Sequence, residues 1–324
     1  MPKIKTLIAG GAGYLGLTLA QTLQNANRAV TIFDNLRHGP QKGLDVIDGQ
    51  FILGDLRDLN QVSNALRGQD EAICLAALVG EPLCDRHPIE ATAVNYLAAV
   101  SFARAAQAFG VKRFLFASTD SCYGTREKEK LTELSPLAPI SLYASLKAKA
   151  EAAILALGAS LDFQPTILRM GTLFGHSLRP RFDLAVNLLT REATLKKRIA
   201  IYSGQQWRPL VHVTDAARAY LLALEAPPEL VSGQIFNVGA NEQNVMFKDL
   251  GALIAKAIPG TQVTTVPQPP DLRDYWVSFD KIKTVLGFKI QTPITQGILE
   301  IQNALLAGDP SDPYATNHVN FSER

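Results

Sequence analysis

Cysteine is scarce in this chain and long apolar runs are missing, and each shortage closes off a class of protein. Cys74, Cys84 and Cys122 form no CxxC pair and share no metal-ligand spacing with the five histidines, so neither a disulfide framework nor a metal site is expected. An odd, sparse set of thiols fits a reducing compartment. No stretch reaches the ~18 consecutive apolar residues that a membrane span needs. Residues 1–5 run straight into a short apolar strand and then glycines, without the features of a signal peptide. The expectation is a cytoplasmic protein with no membrane partner. Charge of one sign is also lacking, since 32 basic and 30 acidic residues leave a formal net charge of +2. The one basic cluster, Lys196-Lys197-Arg198, reads as a solvated face and is far from the broad positive footprint of a nucleic-acid binder.

What is present is an ordinary globular mixture, 47% apolar and 19% charged. A chain of 324 residues exceeds what one hydrophobic core usually supports, about 250–300 residues, which predicts a large domain packed on a smaller one. The first half alternates short β-branched runs with helical patterns. Strands are predicted at Ile4–Ala9, Ala29–Phe33, Gln50–Leu53, Ala72–Leu75, Arg113–Ala117 and Thr166–Arg169, with helices starting near Tyr14, Leu59, Ile89 and Leu142. Right-handed crossovers wind such units into an α/β fold, a doubly wound parallel Rossmann sheet. Residues 1–170 are assigned to this dinucleotide-binding domain, with 205–238 returning to it. Residues 171–204 and 239–307 are assigned to a smaller C-terminal substrate-binding domain. A Pro-rich loop is expected at Pro267–Pro270, and residues 308–324 read as a surface arm or a disordered end. The helices at Ala91–Phe109 and Leu142–Leu157 carry few charges and must be covered on most sides. Burial within the monomer and a helix-on-helix interface of a homodimer both satisfy that demand.

Ala9-Gly10-Gly11-Ala12-Gly13-Tyr14-Leu15-Gly16 follows a predicted strand and opens a predicted helix. It reads GxGxxG from Gly11 and GxxGxxG from Gly10, in the context a dinucleotide fingerprint requires. Glycines allow the tight turn and the close approach of a pyrophosphate, and the helix start offers free N–H groups to it. Asp34, with Asn35 after it, ends the second strand at the offset of a ribose-binding acid. A carboxylate there favours NAD over NADP, whereas the nearby Arg37 suits a 2′-phosphate. Asp55 and Leu56 follow the third strand, where Asp55 meets the adenine edge or caps a helix. The loop Leu75-Ala76-Ala77 follows the fourth strand, over the expected nicotinamide. Farther along this loop, Glu81 reads as a surface acid before a second acid/base.

Tyr143 and Lys147 are four residues apart on one predicted helix and so share a face. An ammonium beside a phenol favours the phenolate, predicting a pKa lowered from about 10 toward neutrality and a Tyr143 that serves as general base and acid. The fifth strand ends in Ser118-Thr119-Asp120-Ser121-Cys122-Tyr123-Gly124, placing hydroxyls where doubly wound sheets bind ligands.

With these residues the chain resembles the extended short-chain dehydrogenase/reductase family and, within it, the NAD-dependent nucleotide-sugar epimerases and dehydratases. The resemblance runs over residues 4–306, through Asn95, Arg169, the segment Arg208–Asp215 and Phe236–Gly239. It implies that Thr119 holds the sugar O4, Tyr143 is the acid/base, and Lys147 also bonds the nicotinamide ribose. It places Asn95 in the cofactor site, and it makes Arg208 and Arg273 diphosphate-binding arginines of a nucleotide-diphosphate sugar site, unless they are surface ion pairs. Two departures bear on the reaction. The 4,6-dehydratase group carries Thr-Asp-Glu where this chain has Thr119-Asp120-Ser121, so Asp120 is left as a proton donor without a carboxylate base beside it. The substrate-contacting Asn after the sixth strand is replaced by Thr172. The expected function is epimerisation through a transient 4-keto sugar. The alternatives are a 4,6-dehydratase, a 4-ketoreductase of deoxysugar synthesis, or a non-catalytic dinucleotide sensor. His176 is expected to face solvent rather than the sugar, and His212, in an apolar strand, to be packed.

Overall fold

Short apolar runs separated by amphipathic helices form, in the computed structural model, fourteen strands among the described residues, which are 2–39, 42–158, 162–267 and 273–320. In chain order these are β1 (Lys5–Ala9), β2 (Ala29–Asp34), β3 (Gln50–Leu53), β4 (Glu71–Cys74), β5 (Arg113–Thr119), β6 (Arg126–Leu131) and β7 (Gln164–Met170). There follow β8 (Thr172–Phe174), β9 (Arg198–Tyr202), β10 (Trp207–His212), β11 (Ile235–Val238), β12 (Asn244–Met246), β13 (Gln262–Val266) and β14 (Tyr275–Val277). Most of the expected Pro-rich loop, residues 268–270, lies outside the described residues.

Seven strands make one sheet in the order β3-β2-β1-β4-β5-β7-β11, with every neighbouring pair parallel. A parallel sheet is covered on both faces, and its central strands read as unbroken apolar runs. All four residues of β4 and all seven of β7 are buried. The pleat sends alternate residues to opposite sides. Leu7 and Ala9 enter a core with Val62, Phe102 and Ala150, while Ile8 enters another with Leu19, Ala20 and Ala216. The first core lies under the helices Leu59–Leu66, Ala99–Ala108 and Leu142–Leu155, and the second lies between the helices Tyr14–Asn25 and Val213–Glu225. The two apolar helices noted above pack on each other, although Leu97 remains 55% exposed.

The remaining strands build a smaller unit. β10 pairs antiparallel with β12 and parallel with β8, and β9 pairs with β13. A separate core of Phe174, Val186, Ile201, Leu250, Ile254 and Ile298 lies beneath them. β14 pairs with β6. The expected return of 205–238 to the large sheet is therefore too broad. Gly171 takes the chain out of the sheet into β8, and β10 pairs with that extension. The stretch from the helix Val213–Glu225 through β11 comes back.

Of the two expectations for the tail, the described residues 308–320 match the surface arm, none of them being buried. The arm is docked as far as Asn320: Phe182 N donates to His318 O at 2.8 Å, and Arg191 donates to Pro313 O at 3.1 Å while its guanidinium stacks on Tyr314. Among the described residues, no helix is long and apolar enough to cross a membrane, and no cluster of three or more His, Cys, Asp or Glu could hold a metal ion.

Candidate active site

The strand order reverses between β1 and β4, and the carboxyl ends of diverging strands leave a crevice there. The crevice is a cleft of about 590 Å³, within the range of small-molecule sites. Gly10 sits at φ +81°, and a Cβ on it would lie 2.5 Å from Ala76 N. Only a glycine lets the β1 turn touch the β4 loop so closely. A Cβ on Gly16 would lie 2.6 Å from Gly10 O, so the helix Tyr14–Asn25 packs directly on the turn. That helix begins at Gly13 with no side-chain cap, leaving its first N–H groups for an anion at the cleft. The donor set and the missing side chains fit the diphosphate of a dinucleotide.

Asp34 is anchored beside this turn. Its carboxylate accepts from Ala12 N at 3.1 Å and from Leu36 N at 2.8 Å, and burial pushes its pKa up. Asn35 donates to Asp55 at 3.0 Å. Arg57 chelates Asp55 and holds that carboxyl well below the usual range. Asp55 does not cap the following helix, because Asp58 does. Arg37, the residue that suits a 2′-phosphate, is engaged by Glu90. Leu15, Leu56, Leu75, Ala76 and Ala77 line the cleft as expected.

Asn95, assigned to the cofactor, lies outside the cleft, and Tyr14 borders it with its hydroxyl engaged elsewhere. Asn95, fully buried in an i→i+5 bonded stretch at Ala93–Ala98, donates to Leu78 O at 2.9 Å and accepts from Leu78 N at 2.8 Å. It does not line the cleft, and pins the loop that does. The Tyr14 hydroxyl donates to Gly175 O at 2.7 Å and accepts from Asn187. Tyr14 borders the cleft, but its polar tip is used in joining the two units.

At the end of β5, Thr119 and Ser121 face the cleft and Asp120 does not. The chain turns after Thr119 into a short 3₁₀ helix, Asp120–Tyr123, whose inner side carries Asp120. There it is 1% exposed with both carboxyl oxygens unpartnered among the described residues, and burial raises its pKa well above the carboxylate range. The proposed proton donor is thus withdrawn from the site. Beneath it, Glu151 binds Arg169 at 2.7 Å and accepts the Ser118 hydroxyl.

Tyr143 and Lys147 both line the cleft on the helix Leu142–Leu155. Lys147 Nζ donates to Ala117 O at 2.8 Å and lies 4.7 Å from the Phe116 ring, which ties the ammonium to β5. The expected acidification of the phenol by Lys147 is not what these surroundings produce. Burial, followed by the charge of Glu81, pushes the Tyr143 pKa upward, and burial lowers that of Lys147. Desolvation outweighs the pair interaction.

Across the cleft stand Thr172, Arg208 and Arg273. Arg208 is 6% exposed, lies against the Phe247 and Tyr275 rings at 5.6 and 5.3 Å, and donates to the carbonyls of Trp207 and Arg273. It is not a surface ion pair. Arg273 donates to Glu81 at 2.7 Å, bridging the two walls of the cleft. Glu81 is accordingly not a surface acid, for its side chain is 18% exposed and its other oxygen is buried without a partner among the described residues. His176 binds Asp309 at 3.0 Å and is absent from the cleft. His212, 2% exposed, accepts from Thr214 N and binds Glu300. The three thiols are buried, and burial pushes them up to about 11 for Cys74 and Cys84 and about 12 for Cys122.

Sequence reasoning missed Arg179, Arg181 and Asn320, which also line the cleft. The signal available was Arg179-Pro180-Arg181, two cations whose proline has no N–H for a sheet or helix.

The family model described as NAD dependent epimerase/dehydratase family matches residues 6–239. A UDP-glucose 4-epimerase of Corynebacterium glutamicum is 29% identical over 254 residues, 74% of this chain and 76% of that one. A dTDP-glucose 4,6-dehydratase of Streptomyces niveus is 27% identical over 92% of this chain and 91% of its own. Among solved structures, MoeE5 in complex with UDP-glucuronic acid and NAD superposes with a TM-score of 0.82 at 28% identity, covering 94% of this chain and 99% of that one. With its dinucleotide cleft and its Tyr143–Lys147 helix, the chain belongs to the NAD dependent epimerase/dehydratase family and is an NAD-binding enzyme of that type.

Proposed function

We propose that the chain is an NAD-dependent nucleotide-sugar epimerase that inverts C4 through a transient 4-keto sugar. The observation that carries this reading is the end of β5, where Thr119 and Ser121 line the cleft while the carboxyl-bearing Asp120 is buried and does not. Elimination of water needs an acid and a base beside the sugar. Inversion by hydride removal and return needs only a group that holds the O4 proton. The activities of the relatives named above support a nucleotide-sugar substrate.

Bound NAD supplies a two-electron hydride acceptor that becomes the donor for the return step. In the forward half-reaction the sugar loses the O4 proton and the C4 hydride, and in the return half it regains both. Tyr143 takes and gives back the O4 proton, the Thr119 hydroxyl orients O4, and Lys147 fixes the geometry from Ala117 O. Tyr143 takes the O4 proton as a phenolate and returns it as a phenol; burial raises its pKa, which favours the returning form. Deprotonation of O4 is the harder half. Arg208, held between Phe247 and Tyr275, presents a planar cation suited to the diphosphate.

A second reading is favoured by one residue. Glu81 has a buried unpartnered oxygen, and its charge raises the Tyr143 pKa, so a carboxylate base is available to a dehydratase. Incubation with UDP-, dTDP-, GDP- and CDP-sugars, read by NMR and by absorbance of the reduced cofactor, tests both. The expected result is a C4-inverted product with no net change in cofactor absorbance. A dehydrated product, or net consumption of NADH, ends the epimerase reading.

A further inference from the structure

The arginines at the nucleotide end of the cleft differ in what neutralises them. Arg37 is paired with Glu90, Arg57 with Asp55, and Arg181 with Asp183. Arg179 has no carboxylate partner among the described residues. It is 3% exposed and lines the cleft, its Nε is buried without a hydrogen-bond partner among the described residues, and its Nη2 donates to the side-chain oxygen of Asn320 at 2.8 Å. A buried guanidinium with unfilled donors is costly unless something completes it.

Its position indicates what does. Ser177 donates to Tyr14 O at 2.7 Å, and Arg179 N contacts the same Ser177 hydroxyl at 3.4 Å, stitching this segment to the first turn of the uncapped helix. Burial raises the pKa of Asp34, the acid that accepts Ala12 N within the glycine turn, and the Arg179 charge offsets a small part of that rise. A buried cation and a helix N-terminus therefore converge on one end of the cleft, the combination that binds a phosphate.

We propose that Arg179 binds the diphosphate of the dinucleotide and is aimed at it by Asn320, so that the C-terminal tail forms one wall of the cofactor site. The diphosphate, not a 2′-phosphate, is the anion assigned, because the Asp34 carboxylate beside Arg179 repels a phosphate on the ribose. Asn320 suits the task, since an amide oxygen orients one N–H without cancelling the charge. The docking of the tail on Phe182 and Arg191 keeps that amide in place. This assignment is independent of which sugar carbon reacts.

Calorimetric titration of the full chain with ADP, adenosine, NAD and NADP tests it, alongside Arg179→Ala, Arg179→Lys and Asn320→Asp. Arg179→Ala should weaken ADP and NAD binding at least tenfold and leave adenosine unchanged, with Arg179→Lys recovering part of the loss. Asn320→Asp puts a carboxylate on the guanidinium and should weaken ADP severalfold without lowering the Tm of the nucleotide-free chain, a readout that stands even if Arg179→Ala fails to fold. Unchanged ADP affinity in either Arg179→Ala or Asn320→Asp overturns the proposal. So does a loss confined to NADP, which would place Arg179 at the ribose phosphate.

Discussion

The nucleotide end and the sugar end of the cleft are built by different means. The nucleotide end rests on backbone: Gly10 against Ala76, Gly16 against Gly10, and an uncapped helix start. The sugar end rests on side chains held by other side chains far away in sequence, with Arg208 against Tyr275 and Arg273 on Glu81. A backbone cradle centred on Gly10–Gly16 and closed by Ala76 can be shared by many activities. A wall assembled from segments up to 192 residues apart can change its substrate one side chain at a time, and specificity is expected to reside there.

The comparison is broken most severely at Tyr143, where the two ends meet. Tyr143→Phe removes the proton carrier and leaves the glycine turn intact. Turnover should fall by about 10²–10⁴-fold, with NAD affinity by calorimetry within a few-fold of the parent. Parallel loss of NAD binding would show that the two ends are not separable. Next in size, Arg208→Met keeps the contact with Phe247 and Tyr275 but removes the charge. KM for the nucleotide sugar should rise about tenfold to a hundredfold, the worth of a charge-assisted hydrogen bond, with kcat little changed. A drop in kcat alone would move Arg208 from binding to chemistry.

A smaller effect sharpens the electrostatics of the sugar end. Burial and the Glu81 charge both raise the Tyr143 pKa, so kcat should climb as pH rises on the alkaline side. Glu81→Gln removes the negative charge, favours the phenolate, and should move that limb to lower pH. A limb displaced upward would contradict the assignment. The smallest effect tests the residue withdrawn from the site. Asp120 has a raised folded-state pKa, so its stabilising contribution is complete below its unfolded value of about 3.8 and is lost as pH rises through the folded one. Asp120→Asn should therefore raise Tm at pH 7.5, by a margin that shrinks as pH falls toward 4, and leave kcat within a few-fold. A large loss of kcat would return Asp120 to the chemistry.

The same division explains what was legible in the sequence. The positions of β1 to β5 and of β7, the helix starts at Tyr14, Leu59 and Leu142, and the glycine turn follow from local periodicity and short-range spacing, whereas the charged run of β6 carries no such signal. Side-chain direction is not carried by a motif, which is why Asn95 and Asp120 are expected in the cleft and lie elsewhere. The phenol pKa was misjudged for a related reason: spacing reveals the neighbouring ammonium but not the burial that outweighs it. Composition leaves the tail open between a surface arm and a disordered end because its partners Arg179, Phe182 and Arg191 lie more than 120 residues upstream. Polar composition alone cannot distinguish a docked strap from a free end.

The central claim is that hydrogen leaves C4 as hydride and returns to the same carbon without meeting solvent. Turnover in deuterated water, with the product's C–H positions read by NMR, tests it directly. The account predicts a C4-inverted sugar carrying no carbon-bound deuterium. Deuterium at C3, C5 or C6 would contradict it, because proton abstraction next to a ketone would then be part of the reaction.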